Sequence, residues 1–203
     1  MVVQIPPPLR KRRRNGLPLP VTILLVGGIL AGLCVLGLIG LRILGLLIPY
    51  SVPSDGMSPA VSRGDSILME SISYRNRKPL RGEILVFRTD GLPLVPKRQV
   101  YLKRLVGLPG DNISIVEGAV FVNGVRTAFR NLSGEIAYTN HPAAKYLLKS
   151  GDSVTVPEGH YFVLGDNSQH SSDSRFWGYL PERAVIGRVV CCYWPPQHVG
   201  AVQ

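Results

Sequence analysis

The feature that most constrains this chain is an uncharged stretch of twenty-one residues, from Val21 to Leu41, VTILLVGGILAGLCVLGLIGL. A helix that spans a bilayer needs roughly 20 apolar residues, and few soluble helices are apolar on every face over such a length. The apolar region of a cleaved secretory signal is shorter, about 7 to 15 residues. The stretch therefore predicts a retained single-pass anchor, which we place at residues 17–49 and which would bring the chain into contact with a lipid bilayer.

The distribution of charge predicts how this anchor is oriented. Five consecutive cations, from Arg10 to Arg14, precede the apolar stretch. Because short segments rich in Lys and Arg stay in the cytoplasm, we expect residues 1–16 to form a cytoplasmic tail. Residues 50–203 should then lie on the outer face, periplasmic or lumenal.

The outer part of the chain carries only a small excess of positive charge. Six of the 23 Lys and Arg residues precede Asp55, which leaves 17 against 13 acidic residues, a net charge of +4. That excess suits a domain close to anionic lipid and is too small to indicate a nucleic-acid partner. The four histidines lack the spacing of metal ligands, so we predict neither a metal site nor another cofactor.

Short runs rich in Val, Ile, Phe and Tyr, separated by turn residues, follow the anchor. Runs of this kind predict strands, and their spacing is typical of a sandwich or barrel. The fold class is therefore mostly β, a domain of short antiparallel strands and coiled sheets preceded by one transmembrane helix. Residues 125–150 lack the alternation and read as an inserted excursion. The predicted strands are residues 82–87, 99–108, 112–116, 119–124, 152–156 and 160–165.

One of these runs, YLKRLVGLPGD at residues 101–111, contains a lysine in a strand-like context. Strand alternation puts Lys103 on one face with Tyr101 and Leu105, and Arg104 on the other. Either Lys103 points into the core, or it faces solvent while Arg104 packs. Because buried lysines are rare, the strand pattern by itself slightly favours an exposed Lys103.

A second stretch, GDNSQHSSDSRFWG at residues 165–178, is dense in short polar side chains. Such side chains hydrogen-bond readily to nearby backbone groups. The stretch can therefore build a polar network around a functional site, or it can be a long polar turn. Its composition does not decide between the two.

Together, and in this order after an apolar span, the two stretches resemble those of type I signal peptidases. These are membrane-anchored serine proteases that cut signal peptides from exported preproteins. The resemblance runs from the anchor to Trp194. It implies that Lys103 is the general base, that Ser171 orients its amine, and that Asp173 and Arg175 form an ion pair that supports the loop. Only a neutral amine can accept a proton, and burial lowers the pKa of a lysine towards neutrality.

The family's first motif departs from its usual form here. In that motif the nucleophilic serine stands directly before a methionine. Residues 53–60 read PSDGMSPA, and the alignment of the two prolines and the methionine puts Gly56 at the nucleophile position. Ala60 replaces the usual threonine. Ser54 matches another hydroxyl of the family, one that helps to stabilise the oxyanion.

The glycine leaves three interpretations open. In the first, the nucleophile is relocated to Ser58 or Ser54, which lie two residues either side of Gly56. A two-residue step along a strand is about 6.6 Å, so Lys103 would reach either serine only if the backbone is bent. In the second, the chain keeps the peptide-binding cleft without cutting, because no acyl-enzyme forms without the hydroxyl. In the third, which has the least support, Lys103 activates a water that lacks the positional advantage of a tethered hydroxyl.

Because the base, the supporting loop and Ser54 are all retained, we predict a signal peptidase I-like serine endopeptidase that uses Ser58, ahead of Ser54, as its nucleophile. The alternative is an inactive homologue that binds signal peptides or partners an active peptidase. A purely structural anchored β domain, from a third class, would have Lys103 exposed to solvent.

If the chain cuts, the resemblance also implies how it binds its substrate. Signal peptides of preproteins would lie extended along an exposed strand edge, with small side chains at the first and third positions before the cut. One wall of that cleft, at residues 51–55 just past the span, would place the chemistry at the membrane surface. The predicted substrate-binding residues are Ser51, Val52, Pro53 and Met57.

Overall fold

The computed structural model of the chain describes residues 18–202, so the predicted basic tail at 1–16 lies outside the described residues. Helix α1 covers Leu19–Ile43 and helix α2 is a single turn, Ser174–Trp177. The strands are β1 (Leu47–Ser51), β2 (Ser66–Glu70), β3 (Ile84–Arg88), β4 (Val100–Gly107), β5 (Asn112–Val116), β6 (Ala119–Val122), β7 (Val125–Thr127), β8 (Arg130–Asn131), β9 (Gly134–Glu135), β10 (Ser153–Thr155), β11 (His160–Leu164), β12 (Leu180–Pro181), β13 (Val185–Trp194) and β14 (Gly200–Ala201).

The chain divides into two units between Leu41 and Arg42. The first consists of most of α1, whose segment Leu19–Arg42 is long and apolar enough to cross a membrane, with a mean hydropathy of 2.6. The second unit is β-rich, and its first strand, β1, begins at Leu47, inside the segment 17–49 that was predicted as the anchor.

Within residues 18–202 the strands form three sheets with antiparallel pairing throughout. The largest has the strand order β1-β2-β13-β3-β4-β11-β12, with β14 paired to β13. A smaller sheet has the order β10-β5-β6-β7, and β8 and β9 form a separate hairpin. The predicted mostly β fold with one N-terminal apolar helix is confirmed.

The middle of the large sheet is covered on both faces. The first four residues of β3, Ile84 to Phe87, are all buried, whereas a half-covered strand would alternate. The neighbouring β4 is buried from Lys103 to Gly107 for the same reason. Lys103 and Arg104 are therefore both buried, 7% and 2% exposed, and the expectation that one of the two faces solvent is wrong.

The predicted excursion at residues 125–150 packs back onto the domain. It begins with β7, which extends the smaller sheet, and continues through the β8–β9 hairpin. Its buried side chains Phe129, Tyr138 and Leu147 join the core cluster that also contains Phe162 of β11. The segment is thus part of the core rather than a separate appendage.

Close packing between β2 and β13 leads to a stability prediction. A Cβ atom on Gly187 would lie 2.4 Å from the backbone oxygen of Glu70 and 2.5 Å from Met69 Sδ. Because backbone cannot move aside cheaply, we expect Gly187→Ala to destabilise the domain by about 1–3 kcal/mol. Thermal unfolding of the detergent-solubilised chain would show this as a fall in Tm of roughly 2–4 °C per kcal/mol.

The matched control for this substitution is Gly200→Ala in β14. A Cβ atom there would meet nothing within 4 Å, so its Tm should stay within a degree or so of the unsubstituted chain. Equal Tm values for the two variants would show that the β2–β13 contact is looser than described.

Candidate active site

Three separate segments meet around the amine of Lys103. A Cβ atom on Gly56 would lie 3.2 Å from Lys103 Nζ, 3.6 Å from the carbonyl oxygen of His170 and 3.7 Å from Ser171 Oγ. The position that the family gives to the nucleophile therefore faces both the predicted base and the predicted orienting serine. Gly56, Lys103 and Ser171 come together although 115 positions of sequence separate the first from the last.

Gly165 allows this approach. A Cβ atom on Gly165 would lie 2.0 Å from Ser171 Oγ and 2.4 Å from the backbone oxygen of Gly56, so no larger residue fits without displacing the site. The next residues tie the same segments together, because Asn167 N–H donates to the Gly56 carbonyl at 3.3 Å and Asn167 Nδ2 to the Asp55 carbonyl at 3.1 Å. Sequence reasoning missed this role, although a glycine at a strand end is a known signal of close backbone approach.

Asp173 and Arg175 form a fully buried, bidentate ion pair. Arg175 Nε donates to one carboxylate oxygen at 2.8 Å and Arg175 Nη2 to the other at 2.7 Å. The remaining guanidinium N–H groups donate to Thr139 O, Ser168 Oγ and Ser168 O. Asp173 also accepts the backbone N–H of Gly165 at 3.0 Å. The pair thus holds both ends of the loop that carries Ser171.

A second buried ion pair, which sequence reasoning did not identify, lies on the other face of β4. Arg104 donates from Nε and Nη2 to the two carboxylate oxygens of Asp166, at 2.8 and 2.5 Å, and from Nη1 to the carbonyl of Gly82. Burial raises the pKa of Asp166, and Arg104 opposes that rise. Since Asp166 follows Gly165 directly, this pair fixes the polar loop to the strand of Lys103.

The surroundings of Lys103 favour the neutral amine. Burial lowers its pKa and Arg175 adds to that effect, while Asp173 and Asp166 oppose it. Within residues 18–202, neither Lys103 Nζ nor the buried Ser171 Oγ has a hydrogen-bond partner. Two polar atoms that face Gly56 are thus left free to bind an incoming group.

An open cavity of about 410 Å³ runs past these atoms, a volume typical of ligand sites, which span about 300–1,000 Å³. We call it the Lys103 cavity. Of the predicted substrate-binding residues, Ser51 lies in β1 and does not line it. The residues that line it are Val52, Pro53, Ser54, Gly56, Met57, Pro96, Gln99, Val100, Tyr101, Leu102, Lys103, His170, Ser171 and Ser172.

The two candidate nucleophiles occupy different surroundings. Ser54 is exposed, lines the Lys103 cavity, and its hydroxyl makes no hydrogen bond within the described part of the chain. Ser58 N–H donates to the Asp55 carbonyl at 3.0 Å, a turn that bends the segment, and Ser58 Oγ is hydrogen-bonded to Ser62 Oγ at 3.1 Å. Ser58 lines an adjoining polar pocket instead.

Comparison with known proteins relates this arrangement to one family. The family model described as "Signal peptidase, peptidase S26" matches residues 25–194. The probable signal peptidase I-2 of Synechocystis is 38% identical over 150 residues, which cover 73% of this chain and 64% of that relative. The signal peptidase I of Leptolyngbya laminosa is 33% identical over 172 residues, covering 83% and 79%.

A solved structure of a signal peptidase I from Enterococcus faecalis is also similar, at 33% identity and a TM-score of 0.42, covering 55% of this chain and 97% of that one. The family match covers most of the chain, including the cavity residues and the loop with its two ion pairs. This chain therefore belongs to the type I signal peptidase family, peptidase S26.

Proposed function

We propose that this protein is a membrane-bound endopeptidase that removes signal peptides from exported preproteins. The observation that carries the proposal is the Lys103 amine, buried, with a lowered pKa and unpartnered within residues 18–202, at the wall of a cavity that is open to solvent. A buried lysine with these properties can act as a general base near neutral pH. The apolar N-terminal helix of this chain and relatives named signal peptidase fit a membrane-anchored enzyme.

The attacking group would be the hydroxyl of Ser54, with Ser58 as the second candidate, which reverses the order predicted from the sequence. Ser54 shares the cavity with Lys103 and its oxygen is not committed to another residue, whereas the Ser58 hydroxyl is bonded to Ser62. In the first step Lys103 takes the Ser54 proton while Oγ attacks the scissile carbonyl. The ammonium then donates that proton to the leaving amine, and water hydrolyses the resulting ester with Lys103 again as base.

The strand beside the cavity supports binding of an extended peptide. Pairing between β4 and β11 ends at Arg104, so among residues 18–202 the backbone from Val100 to Leu102 is paired only with β3, on one side. An extended chain can add to such an open strand edge. Val52 and Pro53 also line this cavity, which would accommodate small side chains before the cut.

The location of the chemistry follows from the anchor and the charges of the sequence. With the basic tail in the cytoplasm, the β domain would work on the outer face of the membrane, where a translocated signal peptide emerges. The lipid bilayer is then a permanent partner, and preproteins are transient ones.

Cleavage of a preprotein with an Ala-x-Ala site by the detergent-solubilised protein tests the proposal directly. We expect Lys103→Ala and Ser54→Ala to lower kcat/KM by at least about 10³-fold, because each removes one half of the reacting pair. Ser58→Ala should retain most of the activity, as should Ser133→Ala, an exposed serine in the β8–β9 turn that serves as the control. Gly56→Ser should increase the rate, since the new hydroxyl would adjoin Lys103 Nζ.

Other outcomes of this panel have definite meanings. Loss of cleavage in Ser58→Ala, with Ser54→Ala only slowed, would move the nucleophile to Ser58. No cleavage by the natural sequence together with cleavage by Gly56→Ser would overturn the proposed hydrolysis and leave a peptide-binding homologue whose glycine removes the reacting atom.

The pH dependence of cleavage should report the state of Lys103. Because its pKa lies below the ordinary lysine value of 10.5, the neutral base appears as pH rises, and the rate should increase to a plateau with a midpoint below that value. A pH–rate profile of kcat/KM measures the midpoint for the free enzyme. A midpoint at or above 10.5 would contradict a lowered pKa of Lys103.

Burial of Lys103 should also cost stability. The unfolded chain binds the lysine proton more readily than the folded one, so between the lowered and the ordinary pKa the free energy of unfolding rises with pH. Lys103→Met removes this cost at similar volume, and we expect a Tm higher by a few degrees at pH 7, with the difference narrowing towards pH 10. A lower Tm for Lys103→Met at pH 7 would mean that the amine stabilises the fold.

A further inference from the structure

A second, more polar pocket adjoins the Lys103 cavity. The two share Pro53, Ser54 and His170 as a common wall. We call the second one the Arg63 pocket, and its remaining lining residues are Asp55, Ser58, Arg63 and Asn167. Ser54, the proposed nucleophile, therefore stands where the two recesses meet.

This arrangement gives the bound peptide a direction. If the part before the cut pairs with the open edge at Val100–Leu102, the scissile bond lies near Ser54 and Lys103, at the end of that edge. The part of the peptide after the cut must then leave past the shared wall. The Arg63 pocket lies beyond that wall, because it shares Ser54 with the Lys103 cavity and none of the residues of the open edge lines it.

The polar and charged side chains of the Arg63 pocket differ in whether they already have hydrogen-bond partners. The Asp55 carboxylate accepts a hydrogen bond from the backbone N–H of Arg63 at 3.0 Å, and the His170 ring is bonded to the Asn167 side chain at 3.2 Å. The exposed Arg63 guanidinium makes no ion pair or hydrogen bond within residues 18–202. Asp55 keeps its negative charge, but one of its oxygens is held against the backbone, whereas the whole guanidinium of Arg63 is available to a ligand.

From this geometry we infer that the Arg63 pocket binds the first residues after the cut, and that Arg63 selects an acidic side chain there over a basic one. The inference rests on the proposed function, because it assumes a peptide that crosses the Lys103 cavity. It assigns Arg63 as a specificity-determining residue that contacts substrate and takes no part in the chemistry. The preference would be electrostatic and therefore sensitive to salt.

The test measures binding rather than hydrolysis, using the full-length detergent-solubilised chain. Four fluorescent peptides carry a ketomethylene group in place of the scissile amide, so that none can be cut. Three extend past the cut, with Glu, Ala or Lys at the second position, and the fourth ends at the cut. Fluorescence anisotropy gives each Kd at low and at high salt.

We expect the Glu peptide to bind about fivefold more tightly than the Lys peptide at low salt, as an exposed ion pair allows, and the difference to shrink at high salt. Arg63→Ala should remove the preference for the Glu peptide, Arg63→Glu should favour the Lys peptide, and Arg63→Lys should keep the preference for Glu. Arg183→Ala, an exposed arginine that lines neither recess, is the matched control and should leave all four Kd values unchanged.

Failure of the inference and failure of the proposed function give different results. If the peptide that ends at the cut binds as tightly as the extended ones, or if the preference survives Arg63→Ala, the pocket does not select the residues after the cut. If none of the four peptides binds, the peptide-binding function itself is wrong and the assignment of the Arg63 pocket falls with it.

Discussion

The buried ion pair between Asp173 and Arg175 holds together the parts of the site that come from distant positions. All five N–H groups of the guanidinium have acceptors, and the carboxylate also takes the backbone N–H of Gly165. Removing one partner of such a pair strands a buried charge and costs about 3–5 kcal/mol. Ser171 lies within this loop, so the position of its hydroxyl against Lys103 depends on an interaction that touches no substrate.

The two buried ion pairs also create the electrostatic setting of Lys103, the proposed base. Asp173 and Asp166 lie close enough to raise the pKa of Lys103, but each is already paired with an arginine, and burial outweighs their attraction. The carboxylates therefore orient the loop without turning the amine into a permanent ammonium. A direct carboxylate partner would have kept the Lys103 amine protonated, and a protonated amine cannot act as a base.

Sequence reasoning could predict β3, β4, β5, β6, β10 and β11 because these strands carry an alternating or continuous apolar pattern. The predicted run 112–116 coincides with β5, and the other five differ from the observed strands at their ends. It could not predict β1, which continues an apolar run that reads as membrane anchor. Nor could it predict that Lys103 and Arg104 are both buried, since Arg104 pairs with Asp166 in a loop 62 positions away. Alternation gives a side chain its face, whereas burial depends on what covers that face.

The sequence could predict the candidate site only through the motifs that identify its individual residues. The resemblance identified Lys103, Ser171 and Gly56, and these do meet, but the choice between Ser54 and Ser58 depended on the turn at Asp55. An extended segment would put both serines on the face of Gly56, and the Asp55–Ser58 hydrogen bond removes that equivalence. Gly165 was missed because its importance comes from its close approach to Ser171 Oγ and to the backbone oxygen of Gly56. Both atoms belong to other segments, so no local sequence pattern indicates them.

The stability that the protein loses by burying Lys103 favours a functional role for its amine. A buried lysine with no partner in the described part of the chain lowers stability, and a purely structural domain would gain nothing from keeping it next to an equally unpartnered Ser171. A side chain that is costly to the fold is retained most readily where the chemistry requires it. Gly56 leaves Lys103, Ser171 and both buried ion pairs in place, so under the proposed function the hydroxyl that gives its proton to Lys103 would come from a neighbouring residue.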